Sequence, residues 1–139
     1  MKCEIEQMQM AEAHTYNSEI HRTYVQAVEL AAKSNERVVV AGDYTLQMDI
    51  DTEEDFKRWE ENSPEILRRL KLKSSPKITV SKGGLPHRHI TITLDEPMDI
   101  WARIALQVIL GSDFKRELFN SFRVLDGIEY PVLFFEPKE

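Results

Sequence analysis

The chain has 139 residues, 42% of them hydrophobic, which fits the size and composition of one globular domain. It contains no run of roughly 18 apolar residues that would span a membrane, and no apolar stretch of the secretory kind near its first residue. A net charge of −6 argues against a general electrostatic nucleic-acid binder, and the single cysteine, Cys3, excludes an intramolecular disulfide and a zinc site built on several cysteines. A reducing, cytoplasmic setting is the expectation, with no membrane partner.

Charge is unevenly distributed. Residues 43–65 hold nine acids and two bases, whereas residues 66–90 hold seven Lys or Arg and no acid. This predicts either a basic rim beside an acidic centre or ordinary solvated helix ends and loops.

Residues 1–14 are polar and irregular and read as flexible. Thr15 or Ser18 can cap a helix running to about Ser34, with Ile20, Tyr24, Ala27, Val28 and Ala31 as its apolar stripe. Residues 37–40 form a strand, Ala41-Gly42-Asp43 a turn, and residues 44–51 a second strand, so a hairpin is expected. In that second strand Tyr44, Leu46, Met48 and Ile50 alternate with Thr45, Gln47, Asp49 and Asp51. A period of two puts the apolar set on a core and the polar set on a solvated face.

Thr52 and the acids after it start a helix, with Phe56 and Trp59 on its buried side. Asn62-Ser63-Pro64 is expected to break and restart it, Ser63 capping the second part and Ile66, Leu67 and Leu70 continuing the apolar face. After a loop at Ser74-Ser75-Pro76, residues 77–81 form a short strand with Ile78 and Val80 inward. A glycine-containing connection leads to a strand at residues 89–94, where Ile90, Ile92 and Leu94 oppose His89, Thr91 and Thr93. Ile100, Ile104, Val108 and Ile109 mark a helix that Gly111 ends, and Ser112 caps a short helix through Asn120. Asp126-Gly127 reads as a hairpin turn between Val124-Leu125 and residues 128–136, with Pro131 at an edge or bulge. The expected fold is a single α+β domain: a mostly antiparallel sheet with helices packed on one face.

Two stretches carry candidate chemistry. In Asp49-Ile50-Asp51 the two carboxylates share one strand face, about 6.5–7 Å apart at Cα, and can converge on a hard cation such as Mg²⁺ or Mn²⁺. The plainer reading is a strand entering an acidic helix start; it suits Asp51 better than Asp49, because Asp is disfavoured inside strands. In the stretch from Ser81 to His89, Gly83 and Gly84 let backbone N–H groups approach an anion, while Ser81, Lys82 and Arg88 add side-chain donors. A loose hairpin loop with a basic tip is the alternative.

An Asp-x-Asp strand end, a helix, a Ser/Gly-rich turn and a His opening the next strand together resemble the archaeo-eukaryotic primase (primase-polymerase) superfamily, in a minimal, phage-type form. The resemblance covers residues 38–111. It implies a primase-like, RRM-like sheet and a metal-dependent site for a nucleoside triphosphate, with nucleotidyl transfer in phage or plasmid DNA replication. Asp49 and Asp51 match the family's metal-binding acids. The stretch from Ser81 to His89 resembles its Ser-x-Gly-x-His element, so Ser81, Lys82, Gly83, Gly84, His87 and Arg88 are expected around the phosphates. Either His87 or His89 answers to the family histidine, and His89 is preferred because it leads directly into the alternating strand. The family's third acid falls to Asp113 or Asp126, with Asp113 the candidate metal ligand. Arg116 and Arg123 can contact phosphates.

Two other outcomes are consistent with the sequence. A primase fold without turnover would bind a nucleotide, single-stranded DNA or RNA, or a replication or host protein as a regulator. Alternatively, His21-Arg-Thr23 and His89-Ile-Thr91 resemble the paired His-x-Thr motifs of 2H phosphoesterases, although His21 also falls within the pattern of the first helix.

Overall fold

The structure, a computed structural model, describes residues 22–138. Residues 1–14, expected to be flexible, the caps at Thr15 or Ser18, and His21 of the first His-x-Thr motif lie outside the described residues. In chain order the elements are α1 (Tyr24–Lys33), β1 (Glu36–Val40), β2 (Thr45–Ile50), α2 (Glu53–Arg69), β3 (Lys77–Val80), β4 (Arg88–Thr93), α3 (Ile100–Ile109), α4 (Phe114–Leu125) and β5 (Leu133–Pro137). The fold is α+β, with two antiparallel sheets among the described residues, ordered β2-β4-β3 and β1-β5.

The two alternating stretches pair with each other. Leu46 faces Ile92, Met48 faces Ile90 and Asp49 faces His89 across the β2–β4 ladder. Because β4 runs antiparallel to both neighbours, β2 and β3 run parallel with α2 as their connection, a split βαβ unit. Leu46, Met48, Ile50, Ile90, Ile92 and Leu94 form the core with Trp59 of α2 and Leu110. Among the described residues no helix is long and apolar enough to cross a membrane.

The expected hairpin between the strands at 37–40 and 44–51 does not form. Strand β1 pairs instead with β5, setting Val38, Val39 and Val40 against Phe135, Phe134 and Leu133. Such aromatic and β-branched cross-strand pairs are favourable. The Ala41 N–H extends this ladder to the Val132 carbonyl, and the chain then turns as the Thr45 N–H bonds to the Gly42 carbonyl. β1 and β2 therefore belong to different sheets.

Helix α1 begins later than expected, because Thr23 caps it: the Thr23 hydroxyl accepts from the Gln26 N–H and the Gln26 side chain accepts from the Thr23 N–H. Ala27 and Ala31 of its stripe are buried, while Tyr24 and Val28 stay exposed. Helix α2 starts at the expected Thr52 cap but runs through Pro64 without the predicted break. Proline removes one helical donor, yet Pro64 lies on the exposed side, and Phe56, Ile66, Leu67 and Leu70 anchor both halves to the same core. Asn62 donates its side-chain amide to the Ile109 carbonyl at the end of α3 instead of marking a break.

Further expectations fail in β3 and in the chain after α3. Ile78 and Val80 lie on the core face of β3 by register but are 46% and 56% exposed, because β3 is the edge strand. Val124 and Leu125 belong to α4, not to a hairpin strand. Gly127 has φ +72°, and the pairs Gly127 N–H to Val124 carbonyl and Ile128 N–H to Arg123 carbonyl close the end of a helix. Asp-Gly suits that closure as well as it suits a hairpin turn. Pro131 consequently precedes β5 and is not part of it. Gly111 ends α3 in the same manner at φ +101°, where an added Cβ would collide with the Asp55 carbonyl oxygen. The cap of α4 is Asp113, not Ser112, and the helix extends beyond Asn120 to Leu125.

Candidate functional site

The site begins at the free edge of β2. An edge strand exposes N–H and C=O groups that need partners. Here the α3–α4 connection supplies them. The Gln47 N–H donates to Gln107 Oε1 at 3.0 Å, and the Asp49 N–H to Ser112 Oγ at 3.0 Å. The Asp113 N–H donates to the Asp49 carbonyl at 2.8 Å, and Arg116 to the Gln47 carbonyl at 2.8 Å. Glu117, 2% exposed, organises this layer from below. It accepts from Gln107 at 2.8 Å, Ser112 Oγ at 2.6 Å, Asn120 at 3.0 Å and Arg116 at 2.6 Å. The strand that carries Asp49 is thus held by four hydrogen bonds with Glu117 behind them.

The polar face of β2 and β4 is not solvated as expected, because β5 covers it. The His89 ring stacks on Phe134, with centroids 4.0 Å apart and planes 5° from parallel. Gln47 is fully buried, and its side-chain amide donates to the Val39 carbonyl of β1. His89 Nε2 lies 3.6 Å from Asp49 Oδ1. Burial pushes the Asp49 carboxyl up to about 6; Arg116 opposes the shift, while Asp51, Asp113 and Glu117 add to it. Burial, with the nearby Arg116 charge, lowers the pKa of His89. Next along the strand, His87 Nδ1 lies 3.2 Å from Asp51 Oδ1, both side chains partly exposed.

Most of the sequence-predicted residues meet around one cavity of about 270 Å³. Asp49, Asp51 and His89 form one wall, and Ser81, Lys82, Gly83 and His87 another. Glu36 of β1 and Phe135 of β5 complete it. Oxygen donors of the kind a hard cation prefers are therefore present on Asp49 and Asp51, with Glu36 on the same cavity. Among the described residues no three His, Cys, Asp or Glu side chains form a ready metal-holding group.

Other predicted residues sit elsewhere. Arg88 points to the opposite face, its guanidinium 3.8 Å from the Phe56 ring centre and 3.4 Å from Glu53. Gly84 adopts φ +75° in a loop whose own amides close it: the Gly84 N–H bonds to the Ser81 carbonyl, the His87 N–H to the Gly84 carbonyl and the Ser81 N–H to the His87 carbonyl. Lys82 donates to the Ser34 carbonyl at the end of α1. Of the basic stretch at 66–90, Arg68 and Arg69 pair with Glu65 and Lys71 with Glu96, while Lys82 lines the cavity beside Asp49 and Asp51. Asp113 caps α4 by accepting from the Arg116 N–H. With Asp49, it lines a second cavity of about 310 Å³ that shares Asp49, His89 and Phe135 with the first. Arg116 and Arg123 line that cavity too. Thr23 of the first His-x-Thr motif is engaged as a helix cap.

Sequence reasoning missed Glu36, Phe134, Phe135 and the Glu117 network. The aromatic pair was legible as strand material, but nothing local shows that it covers His89. Comparison with protein-family models, curated proteins and solved structures gives no match.

Proposed function

We propose that the chain binds a nucleoside triphosphate together with Mg²⁺ or Mn²⁺ at the cavity between the ends of β2 and β4 and the loop before β4. One observation carries the reading: Asp49, Asp51 and His89 share that cavity with Ser81, Lys82, Gly83 and His87. Asp49 and Asp51 would hold the cation, which would supply positive charge to offset the negative charge of the phosphates. The split βαβ order around the site is in keeping with the resemblance to primase-polymerases. On this reading the chain works in the cytoplasm, in phage or plasmid DNA replication, with single-stranded DNA or RNA as a further partner.

Whether the bound nucleotide is turned over depends on the third acid. Both candidates have local duties: Asp113 caps α4, and Asp126 ends it. These duties favour a second reading, a nucleotide-binding primase fold without polymerisation, acting on a replication or host protein. Metal-dependent nucleotide binding and primer synthesis, measured on the full chain and on Asp49→Ala/Asp51→Ala, decide between them. Metal-dependent binding with a product supports nucleotidyl transfer, and the same binding without product supports the second reading. No metal-dependent binding, or binding unchanged in the double variant, removes both.

A further inference from the structure

The larger cavity, between α4 and β5, has a lining unlike the rest of this acidic chain. Four cationic side chains, Arg22, Lys115, Arg116 and Arg123, line it against two acids, Asp49 and Asp113. Three of the cations stand against aromatic rings. Arg22 lies 5.4 Å from the Phe135 ring centre, Lys115 5.6 Å from Phe119 and Arg116 4.9 Å from Phe134. Such stacking positions a cation without neutralising it. The Arg116 guanidinium is fixed further by the Gln47 and Leu133 carbonyls and by Glu117. Arg123, 4% exposed, donates to Asn120 Oδ1 and the Pro131 carbonyl. Arg116, paired with Glu117, and Arg123 are therefore ordered before any ligand arrives, which lowers the cost of binding.

We propose that this cavity is a phosphate-binding pocket that takes one nucleotide, its phosphate against the cationic side chains and its ring against Phe135, which is half-buried where Phe119 and Phe134 are buried. Cationic groups select the oxyanion, and the aromatic faces select a flat ring. The volume of about 310 Å³ suits a single small ligand. Asp49 and His89 line both cavities, so a nucleotide here lies directly beside the metal-binding carboxylates. The choice of a nucleotide rests on the function proposed above; the phosphate pocket does not.

Calorimetric titration of the full chain in metal-free buffer tests this, using inorganic phosphate, adenosine monophosphate and acetate. Lys115→Glu is the informative variant, because position 115 is exposed in the first turn of α4, where an acid is compatible with the helix. Phosphate should bind without metal and more tightly than acetate, and Lys115→Glu should weaken it about ten-fold or more. Lys57→Glu, the same charge change on the exposed side of α2, should leave it unchanged. Adenosine monophosphate should bind more tightly than phosphate. No phosphate binding up to about 10 mM, or equal binding by Lys115→Glu, overturns the pocket. Affinity for the nucleotide no greater than for phosphate overturns the nucleotide assignment. Manganese binding, followed separately by its electron paramagnetic resonance signal, keeps the two sites distinguishable. Its loss with phosphate binding retained would remove the metal reading and leave the pocket standing.

Discussion

Asp49 Oδ1 and His89 Nε2 face each other at 3.6 Å across a register pair of β2 and β4, roofed by the Phe134 ring. The same burial acts on both groups and moves them in opposite directions: the Asp49 pKa rises to about 6 and the His89 pKa falls. Each group is thereby biased toward its neutral form.

Asp49 should consequently make stability depend on pH in an unusual direction. Its folded pKa of about 6 lies above its ordinary 3.8. Below the ordinary value both states hold the proton, and the native environment is satisfied. Between the two values the folded chain holds more protons than the unfolded one, so stability falls as pH rises through about 6. The loss is on the order of 2–3 kcal/mol. His89, with a lowered pKa, acts oppositely between its folded value and its ordinary 6.5, so the wild-type curve alone would mix the two. Asp49→Asn isolates the carboxylate. In urea unfolding, variant minus wild type should grow by that amount from pH 4 to pH 7. A difference that stays flat would contradict a buried, raised carboxyl.

The same proton should compete with a cation. A metal must displace it from Asp49, so Mn²⁺ affinity should rise about tenfold per pH unit below about 6 and level off above it. Titrations followed by electron paramagnetic resonance between pH 5 and 8 give the curve. A curve without a break near 6 would mean that the metal displaces no proton from Asp49.

The sequence carried the parts of this site that depend on one strand at a time. Alternation in β2 and β4 put Asp49 and Asp51 on one face with His89, and their pairing in register brought these side chains together. What covers that face was not legible. Burial of His89 depends on Phe134, 45 positions further along, and β1 abandons its neighbour in sequence for β5. Gly127 illustrates a different failure, whereas Gly111 ends α3 as expected. A glycine at positive φ ends a helix or turns a hairpin with equal ease, and only the tertiary environment decides. Pro64 illustrates a third, since core contacts on both sides outweigh one missing donor.

Glu117 should be the most sensitive position in the edge network. Four donors converge on its carboxylate, and Glu117→Ala leaves them buried without it. Removing one member of such a buried charged group costs about 3–5 kcal/mol. Glu117→Gln keeps an acceptor and should lose less. Because the network holds Gln47 and Asp49 of β2, amide hydrogen exchange at those residues should accelerate in Glu117→Gln. Unchanged exchange there would mean that β2 is held by its ladder with β4 alone.

Arg88 separates the expected phosphate loop from the observed one. Its sequence position beside His87 and His89 suggests a phosphate contact, but alternation along β4 sends it to the core face. There it lies over Phe56 and near Glu53, and its side chain is 13% exposed. Arg88→Ala should therefore lower stability by about 1–2 kcal/mol, through lost stacking and lost packing of the aliphatic stem. Nucleotide affinity should stay within about twofold of wild type, a change below 0.5 kcal/mol. Lys82→Ala tests the other side of the same loop, because Lys82 lines the cavity and is exposed. Its loss should weaken nucleotide binding with little change in unfolding. Thermal melts and nucleotide titrations on both variants give the comparison. The opposite pattern, with Arg88→Ala losing the nucleotide and Lys82→Ala keeping it, would move the phosphate to the Phe56 side of β4.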